Sequence, residues 1–183
     1  MRFCVSLLSI ALCFAAGCSR NDAVDYGFVI HKVSVSRVYQ ALDVYLQQDL
    51  QLSQHAREAL EHGVILYIKL EMELHNDNSM VVIPRDARYF QMRFLPLSER
   101  YQLTDEKTGE FEVFSRLRHL LAAIDRLDIR LRTGPLPPGD YKMRVRISLD
   151  KSRLPTPMQL PARFSSGWRH DSEWSEWPFE IDV

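Results

Sequence analysis

The sequence predicts a mainly β, β-rich α+β protein: an antiparallel β-sandwich with two added short helices. The first indication is a ten-residue run at 141–150 in which apolar and polar side chains alternate without interruption. Successive side chains of a strand point to opposite faces, so this run indicates a strand with one buried and one polar face. Two further long alternations, at 42–52 and 64–75, precede it. Turn-forming residues divide the chain into eight to ten such strands.

The turn before the ten-residue run indicates which kind of sandwich to expect. Two prolines fix φ there, and Gly139 can adopt positive φ. Tyr141 follows them and is placed to bury its ring while its hydroxyl hydrogen-bonds to the backbone. This arrangement is the tyrosine corner of immunoglobulin-like sandwiches. The segment 136–146 also resembles the turn and following strand of fibronectin type III domains, one residue shorter between leucine and tyrosine. We therefore expect an immunoglobulin- or fibronectin-like fold.

The composition is that of a globular protein with a substantial core. The 183 residues are 46% hydrophobic and 26% charged, with a formal net charge of -1. No global positive field would recruit nucleic acid, so we expect no nucleic-acid partner. All three cysteines, Cys4, Cys13 and Cys18, lie in the first eighteen residues. Cysteine nucleophiles, disulfides and thiolate metal sites are therefore excluded from residue 19 onward.

The first seventeen residues are predicted to be a signal peptide. Arg2 supplies the positive start, and the apolar run 3–16 is shorter than the roughly 20 residues that a membrane-spanning helix needs. The sequence Ala-Ala-Gly before Cys18 resembles the lipobox of bacterial lipoproteins, in which the cysteine is acylated and becomes the mature N-terminus. Ordinary signal cleavage near Gly17 is the alternative.

Three regions follow from this interpretation: a signal peptide at 1–17, a lipidated tether at 18–27 and a single β-sandwich domain at 28–183. The lipid on Cys18 would hold the domain at a membrane on the periplasmic side of the cell envelope. Ser19, in place of an aspartate after the cysteine, slightly favours the outer membrane over the inner one.

Two helices are predicted beside the strands. Ser53 is a suitable N-cap for a short helix with alanine and leucine on one side, which Gly63 ends. Ser115 is expected to cap the second helix, at 116–126, whose apolar stripe should pack on the sheet. The stripe comprises Leu117, Leu120, Leu121, Ile124 and Leu127. The proline-rich stretch 153–161 is expected to be extended.

Several segments resemble one bacterial family. They are Ser53–Val64, Arg93–Tyr101, Arg146–Asp150 with Arg153–Pro155, and the spaced tryptophans of the tail. Together they are similar, over roughly residues 30 to 183, to a proteobacterial family known as the domain of unknown function 4390. The resemblance implies an exported or envelope-anchored protein but no particular activity. The gene in that family often neighbours a nitrogen-responsive sensor histidine kinase, so a sensor-kinase system is a candidate partner by analogy.

The search for catalytic chemistry finds one constellation of interest. His55, Glu58 and His62 spell HxxExxxH along one face of the first predicted helix, a spacing that can hold zinc. The same face lies opposite the alanine-leucine side, where solvated residues are expected. Glu71 and Glu73, two apart on one strand, are likewise interpreted as solvated sheet surface. We therefore expect no metal, no cofactor and no catalytic residues.

The tail contains the least ordinary residues of the chain. Its WSEWP sequence resembles the WSxWS box of cytokine receptor domains, where arginines and tryptophans interleave in a cation–π ladder. We predict that Arg144 or Arg146, which share one strand face, stacks on an indole of the tail. In an unbroken strand only Trp174 could reach them, whereas a bulge at Pro178 would admit a second indole. The candidate interaction or stacking patch is Arg144, Arg146, Trp168, Trp174 and Trp177.

The function expected from the sequence is that of a non-catalytic envelope lipoprotein that binds another protein or acts as an adaptor. The partner would be reached through an exposed strand edge or the tryptophan-bearing end. One alternative is a periplasmic, hydrolase-like enzyme with its histidine-acid site on the first helix. Another is a carrier of an apolar ligand, which would need an unfilled core.

Overall fold

The computed structural model describes residues 26–182. The predicted signal peptide, the tether residues 18–25, with Cys18 among them, and Val183 lie outside this range. Within it there are nine strands: β1 (Gly27–Val38), β2 (Ala41–Gln51), β3 (Leu66–Asn76), β4 (Val81–Leu95), β5 (Arg100–Asp105), β6 (Phe111–Phe114), β7 (Arg126–Arg132), β8 (Gly139–Leu149) and β9 (Ser175–Ile181). The α-helices are α1 (Gln54–Glu61), α2 (Leu117–Ile124) and α3 (Thr156–Phe164), with 3₁₀ turns at Lys151–Arg153 and Ser166–Trp168.

The strands form two antiparallel sheets, which confirms the predicted sandwich. One has the order β1-β2-β7, and the other the order β6-β5-β4-β3-β8-β9. The first matches the A, B and E strands of an immunoglobulin-type sandwich, and β3, β8 and β9 match C, F and G. β4, β5 and β6 then widen the second sheet beyond β3. The strand order is therefore that of an immunoglobulin-type sandwich with one enlarged sheet.

The core lies between the two sheets and is filled by the apolar faces of their central strands. The long alternations of the sequence supply it, because every second residue points inward. The fully buried side chains of these strands include Leu42, Leu46, Ile68, Leu70, Met72, Met143, Val145 and Ile147. The alternation also continues past one bulge, where the pairing of β1 with β2 shifts between Ile30 and Lys32.

The tyrosine corner is confirmed. The ring of Tyr141 is buried, and its hydroxyl donates a hydrogen bond of 2.8 Å to the carbonyl oxygen of Pro137. The ring also stacks on Phe179 of β9, with centroids 5.8 Å apart. This contact fixes the entry into β8 and thereby the register of the strand that carries Arg144 and Arg146.

The first predicted helix is confirmed, and the second differs in its ends. Ser53 Oγ accepts a hydrogen bond of 3.1 Å from Ala56 N, and Gly63 follows α1 with φ of 89°. The prediction that Ser115 caps the second helix is wrong, because Arg116 is the N-cap and no side chain caps it. Leu127, expected on this helix, belongs to β7.

The prediction of an extended chain at 153–161 is wrong, because α3 occupies most of it. Pro157 stands in the first turn, where a missing N–H costs no helical hydrogen bond and the fixed φ suits a helix. Pro161 forfeits one bond further on, while the burial of Ala162 against the body of the protein favours the helix. The fold thus has three α-helices in residues 26–182 instead of two.

Candidate functional site

The outer face of the six-stranded sheet carries charged side chains that the structure buries. Glu71 and Glu73 of β3 are only 3% and 8% exposed. The prediction that these glutamates are solvated sheet surface is wrong. Arg85 of β4 reaches across from one side, and the tail segment 171–174 lies over the other. The charged residues therefore form a covered ionic layer on a face that alternation alone marks as polar.

Glu73 is the centre of this layer. Its carboxylate accepts hydrogen bonds from Arg85 Nε at 2.9 Å, Arg144 Nη1 at 3.1 Å and His75 Nε2 at 3.2 Å. Burial by itself raises the pKa of a carboxyl group, but the hydrogen bonds from Arg85 and His75 outweigh it and hold the pKa of Glu73 below its usual range. Glu73 is therefore ionised at neutral pH and serves as the counter-ion of two arginines.

Trp174 lies beside both of those arginines. The guanidinium carbon of Arg85 is 5.0 Å from the centre of the indole, and that of Arg144 is 5.1 Å from it. Both distances are within the range of a cation–π interaction. β9 pairs with β8 without a register shift, so Pro178 causes no bulge. Trp177 consequently points the other way, half-buried against the core, and its Nε1 donates to Ser175 Oγ at 2.9 Å.

The structure divides the five residues of the predicted patch into two groups. Arg144, Arg146 and Trp174 lie on the outer face, where Arg146 pairs with Asp171 through Nε and Oδ1 at 2.9 Å. Trp168 and Trp177 pack with the core and are not on that face. The tail indoles therefore do not combine into a single exposed aromatic surface.

The HxxExxxH residues lie on the solvated face of α1. His55, Glu58 and His62 are all exposed. Gln54 Nε2 donates to Glu58 Oε1 at 2.7 Å, and His62 Nδ1 lies 2.6 Å from the carbonyl oxygen of Glu58. Between residues 26 and 182, no group of three or more histidine, cysteine, aspartate or glutamate side chains is arranged to hold a metal ion.

His170 is a buried polar residue that sequence reasoning missed. It is 1% exposed, and its Nε2 accepts a hydrogen bond of 2.9 Å from Ser53 N. The rings of Tyr26 and Phe28 lie 5.3 Å from the imidazole. Burial lowers the pKa of His170 to about 4, so the ring is neutral and can act as an acceptor. A single histidine in a tail without periodicity gave no signal of this role.

A family model described as a domain of unknown function (DUF4390) matches residues 26–178. The chain belongs to the DUF4390 family. No curated protein and no solved structure matches the chain in the corresponding comparisons. The family match covers both sheets and the ionic layer of this DUF4390 domain, up to Pro178 in β9.

A cleft of about 1020 Å³ opens between α1, α2 and the loop 165–167 of the DUF4390 domain. Tyr26, the first described residue, lines it together with Leu121 and Asp125. Burial, with the nearby charge of Asp49, raises the pKa of Asp125 to about 6. No helix in the described range has the length and apolar character needed to cross a bilayer.

The strand edges of the DUF4390 domain differ in how they are protected against pairing. Exposed strand edges are commonly blunted by charges, proline or bulges. β7 presents three arginines, β9 carries Pro178 between two glutamates, and β1 is bulged near Lys32. β6, at the end of the six-stranded sheet, has neither proline nor a bulge, and its four residues include a single charge, Glu112.

β6 also exposes apolar side chains. Phe111 and Val113 share the outer face and are 63% and 41% exposed. They stand opposite Thr104 and Gln102 of β5, respectively. Glu112 points to the other face and is exposed as well. Within residues 26–182, β6 pairs only with β5, so its other edge has no strand partner.

Proposed function

We propose that this DUF4390 protein is a non-catalytic protein-binding or adaptor module of the cell envelope. It would be held on the periplasmic side of a membrane, with the outer membrane slightly favoured, by a lipid on Cys18. The observation that carries the proposal is the unpaired edge of β6 with its exposed Phe111 and Val113. A partner segment adds there as an extra strand of the six-stranded sheet.

The chemistry of β6 indicates what such a segment contains. Strand addition draws affinity from main-chain hydrogen bonds and specificity from alternate side chains. Phe111 and Val113 favour apolar partner residues on the outer face. Glu112 favours a lysine or arginine on the opposite face, because oppositely charged cross-strand pairs are stabilising. The expected partner is therefore an extended segment with apolar and basic residues in alternation.

Two observations support a binding module over the alternatives. A hydrolase with its site on α1 would need His55, Glu58 and His62 beside further acids in a cleft, whereas the three side chains lie on a solvated helix face. A carrier of an apolar ligand would need an unfilled core, whereas the central strands fill the space between the sheets with fully buried side chains.

The partner proposal is tested by affinity capture from native membranes. The wild type is compared with a Phe111→Lys, Val113→Lys variant, in which two edge lysines oppose strand addition. Glu180→Lys on the exposed edge strand β9 is the matched control. We expect one protein to be captured by the wild type and the control and lost from the β6 variant. Equal capture by all three would contradict strand addition at β6.

The anchor is tested separately with labelled palmitate in cells. We expect the label in the wild type and not in Cys18→Ala, which should become soluble in the periplasm. Equal labelling of the two proteins would show that Cys18 is not the acylated residue.

A further inference from the structure

Helix α3 turns an apolar face toward solvent. Pro157, Leu160, Pro161 and Phe164 occupy positions i, i+3, i+4 and i+7 of the helix, so they form one stripe. All four are exposed, and Leu160 and Phe164 reach 64% and 84%. The opposite side of the helix supplies Ala162, which is buried. Isolated apolar residues on a surface are ordinary, but a continuous stripe along a helix indicates a contact surface. We call these four residues the α3 stripe.

The region around the α3 stripe is basic. The twenty residues 151–170 contain four lysines and arginines and no aspartate or glutamate, although the whole chain has a net charge of -1. Arg163 and Arg169 are exposed and form no salt bridge with any other residue of the range 26–182. An exposed apolar stripe flanked by unneutralised arginines is the pattern of helices that lie in the interface of an anionic membrane.

The α3 stripe lies at the end of the domain where the tether emerges. Ser165 follows Phe164 directly, and Ser165 and Tyr26 line the same cleft. The ring of Tyr26 is also 5.3 Å from that of His170. Between Cys18 and the domain stand the eight residues from Ser19 to Tyr26. Even when fully extended, eight residues span at most about 29 Å.

We propose that the α3 stripe is a membrane-contact surface that rests on the anionic lipid headgroups beside the anchor. The inference relies on the lipidation of Cys18 proposed above, because the short tether brings this end of the domain to the bilayer. Leu160 and Phe164 enter the interfacial region, and Arg163 and Arg169 contact headgroup phosphates. The contact orients the domain, so that the β1–β2 turn at Tyr39 points away from the membrane.

Spin labelling tests the orientation in the lipidated full chain. The mature protein has one cysteine, Cys18, whose thiol is blocked by the acyl chain, so Leu160→Cys and Phe164→Cys each accept a single nitroxide. Both positions are exposed, so neither variant should disturb the core. Tyr39→Cys is the control, since Tyr39 is 91% exposed and lies at the far end of β1, about 40 Å from Tyr26.

The labelled proteins are reconstituted in vesicles of equal parts phosphatidylcholine and phosphatidylglycerol and recovered by flotation. We expect labels at 160 and 164 to show a several-fold higher ratio of oxygen to water-soluble nickel-chelate accessibility than the label at 39. A floating protein with equal ratios at all three positions would overturn the membrane contact but leave the anchor intact. Spin–spin broadening at 164 would assign the α3 stripe to a second copy instead. Protein that fails to float would overturn both the anchor and the inference.

Discussion

At the scale of single residues, Trp174 shows how a sequence motif and a structural role are related. The guanidinium groups of Arg85 and Arg144 both lie about 5 Å from the centre of its indole, and Glu73 accepts a hydrogen bond from each of them. The stacking of a tail indole on Arg144 could be expected from strand parity. The participation of Arg85 could not be expected, because Pro84 and the uninterrupted apolar residues before it lack the alternation from which a strand is predicted.

A double-mutant cycle measures the strength of this stack. Arg144→Ala and Trp174→Ala should show a coupling energy of roughly 0.5–2 kcal/mol, toward the lower end because the indole is only half-buried. Arg146→Ala with Trp174→Ala is the control pair, since Arg146 pairs with Asp171 instead. The free energies of unfolding come from urea titrations. Coupling below about 0.3 kcal/mol in the Arg144 pair, the limit for independent sites, would show that the stack contributes nothing.

His170 gives the protein a defined response to acid. Its pKa is about 4 in the folded chain against an ordinary value of 6.5, so between these values the unfolded chain binds a proton that the folded chain does not. The contribution of His170 to the free energy of unfolding is complete above pH 6.5 and is lost as the pH falls toward 4. Asp125 acts in the opposite direction, since its pKa is raised from 3.8 to about 6 and the folded chain protonates first.

Two variants separate these contributions. In His170→Asn, the decline of the unfolding free energy between pH 6.5 and pH 4 should be smaller than in the wild type. In Asp125→Asn the decline should be steeper, because the compensating protonation is gone. Urea titrations across this pH range provide the measurement. Parallel curves for His170→Asn and the wild type would mean that His170 is not held neutral by burial.

At the scale of elements, α2 illustrates what periodicity can and cannot predict. The sequence predicts one apolar stripe from Leu117 to Leu127, but only Leu120 and Ile124 are fully buried. Leu121 is half-buried and lines the cleft next to α1. Helical spacing identifies the apolar side of a helix. It does not say how far the neighbouring elements extend over that side.

Leu120 and Leu121 therefore form a matched pair for mutation. Leu120→Ala should lower the free energy of unfolding by about 2–5 kcal/mol, the range for a fully buried leucine. Leu121→Ala should cost only about 1 kcal/mol, because part of its surface remains in contact with water. Denaturant midpoints with a common m-value give both numbers. Equal costs would indicate that the cleft beside Leu121 is closed in solution.

Some of the other elements are determined by residues close in the sequence, and others by residues distant in the chain. β2, β3 and β8 follow from long alternations, interrupted in β2 by Gln48, and the start and stop of α1 follow from Ser53 and Gly63. The prolines of α3 predict an extended chain because proline breaks most helices, although Pro157 stands where a helix tolerates it. The burial of Glu71 was missed because its cover comes from residues distant in the chain.

At the scale of the whole molecule, the sandwich and its corner tyrosine were predictable, because strand periodicity and turn-forming residues can be recognised in short stretches of the sequence. The position of an open edge was not, because an edge is defined by which strand has no neighbour. The strand order places β6 at one end of the six-stranded sheet, far from β9 with its proline and glutamates. This difference between the two edges of the sheet supports the proposal that a partner strand binds at β6.

The most direct test of a partner strand at β6 is photo-crosslinking in living cells. A benzophenone amino acid at position 111 keeps an exposed aromatic side chain on the outer face of β6, and the same residue at position 39, which is even more exposed, is the control. We expect one discrete protein adduct from position 111 and none from position 39. An absence of any adduct at 111, or the same adducts at both positions, would contradict the account.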